Sequence, residues 1–391
     1  MSLNDALIIA DDETEPAISP LKGGVVKGRN ASAGQWRLIW QKLVRQRVAM
    51  AAGVIILILY LIGIFCEFLA PGLPDTSKAQ YTYAPPQPIQ LFVTDADGST
   101  KFLPHVPGYT IAVDPVALRR TFVVDDTKVV PIGLFVHGPA YKMWGLFPSD
   151  IHLIGPLKKT DTVYFLGADR LGRDLLSRLI YGTRVSMSIG LVGVAISLVL
   201  GVILGSLSGF YGGWVDTLVQ RIIEVISAMP TIPLWLGLAA AIPLTWPPLQ
   251  VYFIITLIVS LLGWTSLARE VRGRFLSLRD DDFVTAARLD GSTEWRLIFR
   301  HILPSLTSHI LAVVTLAVPT MIVAETSLSF LGIGLKAPVV SWGVLLQDAQ
   351  NIRTVATAPW LLIWPSLAVV LAVLAYNFFG DGLRDAADPY E

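Results

Sequence analysis

Charged side chains are scarce in this sequence of 391 residues: Asp, Glu, Lys and Arg make up 15% of it, against 53% hydrophobic residues. The mean hydropathy is +0.60, which excludes an ordinary soluble domain. Acidic and basic residues balance to a formal net charge of zero, so the composition gives no indication of a nucleic-acid partner. The single cysteine, Cys66, excludes an intramolecular disulfide and a cysteine-based metal site.

The sequence motifs of common catalytic sites are missing as well. No G-x-x-x-x-G-K-[ST] is present, and "GIGLKAP" at 332–338 lacks both the spacing and the hydroxyl residue of that nucleotide-binding loop. H-E-x-x-H and G-x-S-x-G are also missing, and the five histidines are scattered along the chain. We therefore predict a non-enzymatic protein, with no catalytic residue, no metal site and no cofactor of its own.

Long apolar runs are abundant. A bilayer core needs about 20 apolar residues as a helix, because lipid offers no partner to backbone amides. Gly201, Gly205 and Gly209 recur on one face of the second run and predict close helix packing. Six spans are predicted, at 48–69, 185–207, 225–242, 250–268, 302–324 and 359–379, with the proline-rich "IPLTWPP" as the turn between the third and the fourth.

The positions of the charges predict how the spans are oriented. Lysine and arginine gather before the first span and between the fourth and the fifth, as they do in cytoplasmic segments. Both termini and residues 281–305 are therefore expected on the cytoplasmic side. Arg170, Arg173, Arg178 and Arg184 precede the second span on the predicted outer side, where long translocated segments are largely exempt from this rule. Three glutamates lie at span ends: Glu67, Glu224 and Glu325. They are expected to form ion pairs or caps, and the alternative is that they line a path across the bilayer.

The sequence also predicts a division of the chain into four parts. Residues 1–47 form a cytoplasmic tail, in which Trp36, Ile39, Trp40 and Leu43 are spaced as in an amphipathic helix on the membrane surface. Residues 48–70 form the first span. Residues 71–165 form a β-rich periplasmic insertion, because "PIQLFV", "YTIAV", "RTFVV" and "KVVPIGLFV" are β-branched or aromatic and are separated by "DADG", "PG" and "VDP". Residues 166–391 form a five-helix core.

Residues 281–305, "DDFVTAARLDGSTEWRLIFRHILPS", interrupt the apolar pattern. Asp281 and Asp282 favour the start of a short helix that ends near Gly291, the residue best suited to a left-handed cap. A second helix then starts at Ser292 or Thr293 and is predicted to bury one apolar stripe: Trp295, Ile298, Phe299, Ile302 and Leu303. The pattern predicts two helices joined at a glycine hinge, the second of them continuous with a membrane span. The same spacing also fits an interfacial loop with no special role.

"TAARLDGSTEWRLIFRHILP" resembles the EAA loop of ABC importer permeases, in its dipeptide, oligopeptide and nickel version. The matching residues are Ala286, Ala287, Gly291 and Pro304, and Thr285 stands where the motif has a glutamate. The resemblance implies a coupling helix at 281–304 that binds the ATPase subunit. It implies contacts through Thr285, Ala286, Ala287, Gly291, Trp295 and Arg296, with Asp282 or Glu294 as a substitute for the missing charge.

"FLGADRLGRDLLSRLIYGTRVSMSIG", residues 165–190, is similar to the segment before the second span of the C-type permease subunit, with Ala168 where a threonine is usual. The later stretches "GFYGGWVDTLVQRIIEVISAMP", "AETSLSFLGIGL" and "NFFGDGLRDAADP" are similar to that subunit in the same order. The family residues of the 165–190 segment are Gly167, Asp169, Gly172, Arg173, Asp174, Ser177 and Arg178.

This resemblance implies an all-α polytopic protein with six transmembrane helices of the type I ABC importer permease fold and a β-rich insertion between helices 1 and 2. It implies a bacterial inner-membrane location and four partners: a second homologous permease, two ABC ATPase subunits that hold ATP and Mg²⁺, and a periplasmic substrate-binding protein. Peptides are the expected substrate, and glycosides or nickel are the alternatives. A secondary transporter without an ATPase and a membrane-anchored sensor or structural protein are the alternative classes.

Overall fold

The computed structural model describes residues 35–94, 100–113, 120–243 and 245–387. Most of the predicted tail 1–47 and the stretch "DADG" lie outside the described residues. In chain order, the helices are α1 (Gln35–Arg45), α2 (Arg47–Ile64), α3 (Cys66–Leu69), α4 (Leu175–Tyr211), α5 (Gly213–Ala228), α6 (Thr231–Ala240), α7 (Pro248–Leu278), α8 (Asp282–Leu289), α9 (Glu294–Arg296), α10 (Leu303–Ser305), α11 (Thr307–Phe330), α12 (Trp342–Gln347), α13 (Ile352–Thr357) and α14 (Trp360–Ala387). The strands are β1 (Gln90–Thr94), β2 (Thr100–Val113), β3 (Arg120–Met143) and β4 (Phe147–Pro156).

Five of the described helices are long and apolar enough to cross a bilayer: α2, α4, α7, α11 and α14. They correspond to five of the six predicted spans, although α4 begins at Leu175 rather than near 185 and α7 continues to Leu278 rather than ending near 268. These extensions are amphipathic turns beyond the apolar run, where packing against neighbouring helices rather than lipid contact sustains the helix. A count based on apolar residues therefore finds these spans, but it underestimates the length of α4, α7 and α14 and overestimates that of α2, which ends at Ile64 rather than near 69.

The third predicted span, 225–242, is not a continuous helix. Helices α5 and α6 meet at an angle of 87°, and they give a sixth span only if the bent pair is one span. Pro230 occupies the N-cap of α6, and Met229 before it is extended, with φ −82° and ψ 135°. A residue that precedes proline is disfavoured in the helical region, because the proline ring clashes with its backbone. The break follows from this restriction.

Helices α4 and α7 pack closely through the glycine stripe that the sequence predicts. A Cβ at Gly201 would lie 2.9 Å from Leu267, one at Gly205 would lie 2.6 Å from the carbonyl oxygen of Ala268, and one at Gly209 would lie 2.6 Å from the Cβ of Phe275. Side chains at these three positions would therefore push the helices apart. The prediction of close packing along this face is confirmed.

The two ends of the helix bundle differ in what they carry. At the C-terminal end of α2, Arg184 of α4 donates to the carbonyl oxygens of Gly63 (2.7 Å) and Ile64 (2.9 Å). At the opposite end, Ile39 and Leu43 of α1 pack on Leu383 and Ala386 of α14. The apolar face of α1 thus covers the end of α14, and Trp40 is left 59% exposed. Residues 281–305 lie at this same end, because α4 ends there.

Between α3 and α4 the chain forms a four-stranded antiparallel sheet in the order β1-β2-β3-β4. The predicted strands "RTFVV" and "KVVPIGLFV" are one long strand, β3. The dipeptide "PG" does not separate strands but lies inside β2, where the register shifts between Pro107 and Gly108. Strand β4 was not predicted, because "FPSDIHLIGP" mixes polar residues and prolines with its apolar ones. The division of the chain into four parts stays a prediction.

Candidate functional site

Helix α8 of the 281–305 segment ends in a glycine cap, as the sequence predicts. Gly291 has φ +80°, and two hydrogen bonds close the helix end: Gly291 N–H to the oxygen of Arg288 and Ser292 N–H to the oxygen of Ala287, both 3.1 Å. These are the two bonds of a Schellman motif. Asp281 occupies the N-cap position without a side-chain hydrogen bond. The hinge glycine is therefore confirmed in geometry, whereas Asp281 does not cap through its carboxylate.

The second helix begins after Thr293, but its predicted apolar stripe is wrong in part. Residues Leu297–Ile302 form a π-helix, whose wider turn moves the buried face by one position relative to an α-helix. Leu297, Ile298 and Ile302 are at most 1% exposed. Trp295 is 57% exposed and Phe299 44%, and their rings stack 5.5 Å apart at an interplanar angle of 8°. An α-helical period cannot reveal this rotation.

A shared core fixes the segment to the membrane helices. Val284 and Ala287 of α8 pack with Val271 and Phe275 of α7. The same cluster contains the buried residues of the π-helix, Leu297, Ile298 and Ile302, together with Leu306 before α11. On the other side, the hydroxyl of Tyr211 at the end of α4 donates to Glu294 at 2.9 Å. Displacement of this segment would therefore move α4, α7 and α11.

The opposite side of the segment is solvent-exposed. The family residues Thr285, Ala286, Gly291, Arg296 and Pro304 are exposed, whereas Ala287 is buried. Four large apolar side chains are also exposed and are called the outward surface below: Phe283 (41%), Leu289 (84%), Trp295 (57%) and Phe299 (44%). Asp282 is exposed too, while Glu294 is engaged by Tyr211. Of the two acidic residues that could replace the missing glutamate, Asp282 is therefore the better placed.

The second set of family residues forms a buried turn before α4, at residues 165–178. Asp169 is 1% exposed and accepts hydrogen bonds from the backbone of Leu171 (2.8 Å) and Arg173 (3.0 Å) and from Nε of Arg173 (2.7 Å). Arg178 also donates to it. A buried carboxylate needs such partners, since burial without them is costly. Asp169 is the centre of this turn.

Two glycines and a cap complete the turn. Gly167 has φ +85° and Gly172 has φ +70°, and a Cβ on Gly172 would lie 2.0 Å from the carbonyl oxygen of Lys78. Asp174 caps α4 by accepting from the N–H (2.8 Å) and the hydroxyl (2.6 Å) of Ser177. Burial raises the pKa of Asp174 to about 6, although the hydrogen bonds from Ser177 and the N–H of Leu176 lower it. Sequence reasoning missed a contact with distant chain, the hydrogen bond from Trp360 to the oxygen of Ala168 at 3.2 Å.

The four arginines at 170–184, in the turn and in the first turns of α4, are matched by carboxylates. Arg173 and Arg178 contact Asp169, the Nε of Arg170 lies 3.1 Å from Asp348, and the Nη1 of Arg184 lies 2.6 Å from Glu67. Local neutralisation removes much of the cost of placing cationic residues on the predicted outer side.

Among the glutamates at span ends, Glu67 forms the expected ion pair with Arg184, and Glu224 forms one with Arg221 at 2.6 Å. Glu325 differs. It is fully buried in α11, and its partners among the described residues are serine hydroxyls. Ser341 donates at 2.7 Å, Ser329 at 2.8 Å and Ser186 at 3.5 Å. These bonds join α4, α11 and the start of α12, so Glu325 connects helices rather than pairing with a cation.

The two sets of family residues lie at opposite ends of the bundle, and α4 connects them. Asp174 caps its first turn, and Tyr211 at its last residue contacts Glu294. With 37 residues, α4 is roughly 55 Å long at 1.5 Å per residue. A rigid helix of this length provides mechanical continuity between the two ends.

Comparison with known proteins identifies the class. The family model described as binding-protein-dependent transport system inner membrane component matches residues 197–390, and the model of the N-terminal TM domain of oligopeptide transport permease C matches residues 34–86. The chain is 38% identical over 226 residues to the dipeptide transport system permease protein DppC of Alkalihalophilus pseudofirmus, covering 58% of this chain and 72% of the relative. It is 30% identical over 354 residues to the glutathione transport system permease protein GsiD of Pectobacterium atrosepticum, covering 90% and 91%.

A third relative is the oligopeptide transport system permease protein OppC of Haemophilus influenzae, 37% identical over 241 residues and covering 62% of this chain and 75% of the relative. Among solved structures, a chain of the inward-facing methionine ABC transporter MetNI is similar with a TM-score of 0.43 and 16% identity, over 54% of this chain and 96% of that one. The chain belongs to the family of binding-protein-dependent transport system inner membrane components. This confirms the resemblance to the dipeptide and oligopeptide permeases and a multi-pass membrane location.

Proposed function

We propose that this chain is the C-type permease subunit of a peptide importer driven by ATP hydrolysis on separate subunits. It pairs with a second, homologous permease, receives substrate from a periplasmic binding protein and contacts two ABC ATPases, which hold ATP and Mg²⁺. Both termini and residues 281–305 lie on the cytoplasmic side, in agreement with the lysines and arginines around them. The dipeptide, oligopeptide and glutathione permeases among its relatives support a peptide substrate.

The observation that carries the proposal is the two-sided construction of residues 281–305. One side is packed into α4, α7 and α11, and the other exposes the outward surface. Exposed aromatic side chains with a rigid backing are typical of protein interfaces. The ATPase binds the outward surface, and its closure upon ATP binding moves the attached helices between inward-open and outward-open states. Such coupling requires the nucleotide to bind one state more tightly than the other.

ATPase binding at the outward surface is tested by Trp295→Ala in the assembled transporter. Stacking of Trp295 on Phe299 is lost, and we expect reduced co-purification of the ATPase and reduced uptake with unchanged amounts of the permease in the membrane. Trp40→Ala is the matched control, because Trp40 is equally exposed, at 59%, and lies outside the segment. Full ATPase retention and full uptake in Trp295→Ala would contradict ATPase binding at the outward surface.

The hinge is tested by Gly291→Pro. Proline fixes φ near −65° and removes the N–H that bonds to Arg288, so it cannot adopt the observed φ of +80°. We expect uptake to be abolished while membrane insertion persists. Gly291→Ala is the control, since it keeps the N–H and meets open space. Normal uptake by the proline variant would refute the hinge.

The alternative functions make different predictions. A secondary transporter would continue uptake after ATP depletion and stop when the proton gradient is collapsed, and the proposal predicts the reverse. A sensor or structural protein would co-purify without ATPases. Nickel and glycosides remain the alternative substrates. Identification of what the co-purified binding protein retains distinguishes them from peptides.

The sheet between α3 and α4 is proposed to bind the substrate-binding protein or to cover the mouth of the pathway. The structure provides suitable ends for its removal, since Gln87 and Tyr164 form two hydrogen bonds with each other, at 2.9 and 2.7 Å. Excision of residues 89–162 with a short Gly-Ser linker leaves this contact in place. Excision of 87–136 alone would instead divide β3 and leave residues 152–156 of β4 without their partners. Reduced uptake at saturating binding protein is expected, and unchanged uptake would dismiss this role.

A further inference from the structure

The turn between β3 and β4 is apolar at its tip. Trp144, Leu146 and Phe147 are 48%, 73% and 59% exposed. The turn has the geometry of type I′, with φ +52° at Trp144, φ +74° at Gly145 and a hydrogen bond from Leu146 N–H to the oxygen of Met143 at 3.0 Å. Asparagine and glycine are usual at the first of these positions, and a left-handed conformation is strained for a residue such as tryptophan. Turn formation therefore does not explain Trp144.

The tip lies at the end of a membrane-spanning helix. The indole Nε1 of Trp144 donates to the carbonyl oxygen of Ile64, the last residue of α2, at 2.8 Å, and its ring centroid is 5.9 Å from that of Phe65. Leu57, Leu61 and Ile64 on α2 are themselves 43% to 57% exposed. Because α2 is one of the helices able to span a bilayer, the tip lies level with the last turn of a membrane helix. Tryptophan is enriched at the membrane interface, where its ring is in the apolar layer and its N–H has a polar partner.

An apolar groove continues the surface of α2 onto the hairpin. Ile58, Leu61 and Phe65 line one side of it, and Phe68, Leu69 and Met143 line the other. The groove is open outward, and its lining residues are all apolar. An exposed apolar surface of this kind marks contact with another protein or with lipid. Its continuity with the exposed face of α2 favours lipid.

Polar residues appear farther along the hairpin. Lys142 is exposed next to the tip, as expected for a side chain that extends toward headgroup phosphates. Beyond it, Asp150 lies 2.9 Å from both His137 and Lys159. These two groups hold the pKa of Asp150 low, at about 2. Asp150 is three residues from Phe147, which is roughly 10 Å along a strand, so the charged cluster lies above the tip in water.

We infer that the β3–β4 tip is a lipid anchor, inserted into the bilayer leaflet at the outer end of α2. Trp144, Leu146 and Phe147 contact acyl chains, and Lys142 is at the headgroups. The residues concerned, 142–147, lie outside both family matches, 34–86 and 197–390, and anchoring the sheet is a separate role from moving substrate. It would hold the sheet against the membrane beside α2. Failure of this inference would leave the proposed importer function unaffected.

The test measures the depth of the tip in the transporter complex, reconstituted in nanodiscs of phosphatidylethanolamine and phosphatidylglycerol. A nitroxide is attached to Leu146→Cys. Its collision rate with oxygen, which concentrates in lipid, is divided by its collision rate with a water-soluble nickel chelate. Lys158→Cys is the matched control, because Lys158 is exposed on the same hairpin beyond the charged cluster. Phe147→Cys provides a second position. The native Cys66 is fully buried, and wild type treated with the same label measures any background from it.

We expect a ratio several-fold higher at 146 and 147 than at 158. Equal ratios at the three positions would place the tip in water and overturn the inference. If neither reagent reaches positions 146 and 147, a protein partner covers the tip. That result also overturns the inference.

Discussion

The turn at 165–178 and the segment at 281–305 both resemble the same permease subunit, yet they are constructed in opposite ways. In the turn, Asp169 is buried and all of its contacts are within the chain. In the segment, Thr285, Ala286 and Arg296 face solvent and large apolar side chains are exposed beside them. The buried carboxylate of the turn is bonded to other residues of this chain. The segment instead presents an exposed surface with large apolar side chains.

This difference shows that resemblance at the sequence level does not separate internal scaffold from interface. A residue whose loss leaves buried partners unsatisfied affects folding, whereas an exposed residue with no internal partner affects association. Stability and assembly measured on the same variants therefore distinguish the two roles.

The largest expected effect is loss of stability in Asp169→Ala. The variant leaves Arg173 and Arg178 buried without their carboxylate, which typically costs about 3–5 kcal/mol. We expect a large fall in the thermal midpoint of the purified permease, or loss of folded protein. Arg170→Ala is the control, because its pair with Asp348 involves a side chain that is 60% exposed, and exposed pairs contribute little. Similar thermal midpoints for both variants would contradict the assignment of Asp169 to the internal scaffold.

Next in size is the contrast between Ile298→Ala and Trp295→Ala, three positions apart. Ile298 is fully buried and Trp295 is 57% exposed. Truncation of a buried isoleucine costs about 2–5 kcal/mol, whereas an exposed site away from special features changes stability by roughly 0.5 kcal/mol or less. We expect Ile298→Ala to lower the thermal midpoint and Trp295→Ala to lower only ATPase retention. A pronounced loss of stability in Trp295→Ala would show that its stacking on Phe299 is structural.

Two left-handed glycines provide a sharper comparison. Gly172→Ala would place a Cβ 2.0 Å from the oxygen of Lys78, whereas Gly291→Ala meets nothing within 4 Å. The left-handed conformation alone costs roughly 1–2 kcal/mol in both variants. We therefore expect Gly172→Ala to lower the thermal midpoint further than Gly291→Ala does. Equal effects would mean that the chain around Lys78 moves without cost.

The smallest expected effect is a change of pH dependence in the turn. Burial raises the pKa of Asp174 from 3.8 to about 6, so the folded state binds a proton more tightly than the unfolded state. The resulting stabilisation is complete below the unfolded pKa and is lost as the pH rises through about 6. Asp174→Asn keeps a cap acceptor but cannot titrate. The difference in thermal midpoint, wild type minus variant, should therefore fall between pH 4 and 7, and a constant difference would contradict the assignment.

Sequence patterns predicted features that depend on local chemistry. Gly291 was identified as the helix end because glycine adopts a left-handed conformation more readily than its neighbours do, and its φ is +80°. The face of Gly201, Gly205 and Gly209 was identified because helical spacing aligns the three positions. Patterns failed where a competing interaction decided the outcome. Residues Leu297–Ile302 form a π-helix, and Trp295 just before it and Phe299 within it are exposed rather than buried. Pro230 separates α5 from α6, which meet at 87°, so the third apolar run is not one straight helix.

The amino-acid sequence by itself determined that this is a multi-pass membrane protein with a glycine-hinged segment, because hydrophobic length and backbone freedom are local properties of the chain. Only the tertiary structure decided which residues have their partners within the chain and which are exposed. Asp169 meets Arg178, Trp360 meets Ala168 and Trp144 meets Ile64 across separations of 9, 192 and 80 residues. A hydrogen bond needs its two atoms about 3 Å apart in space. The order of residues along the chain does not show which distant residues come that close.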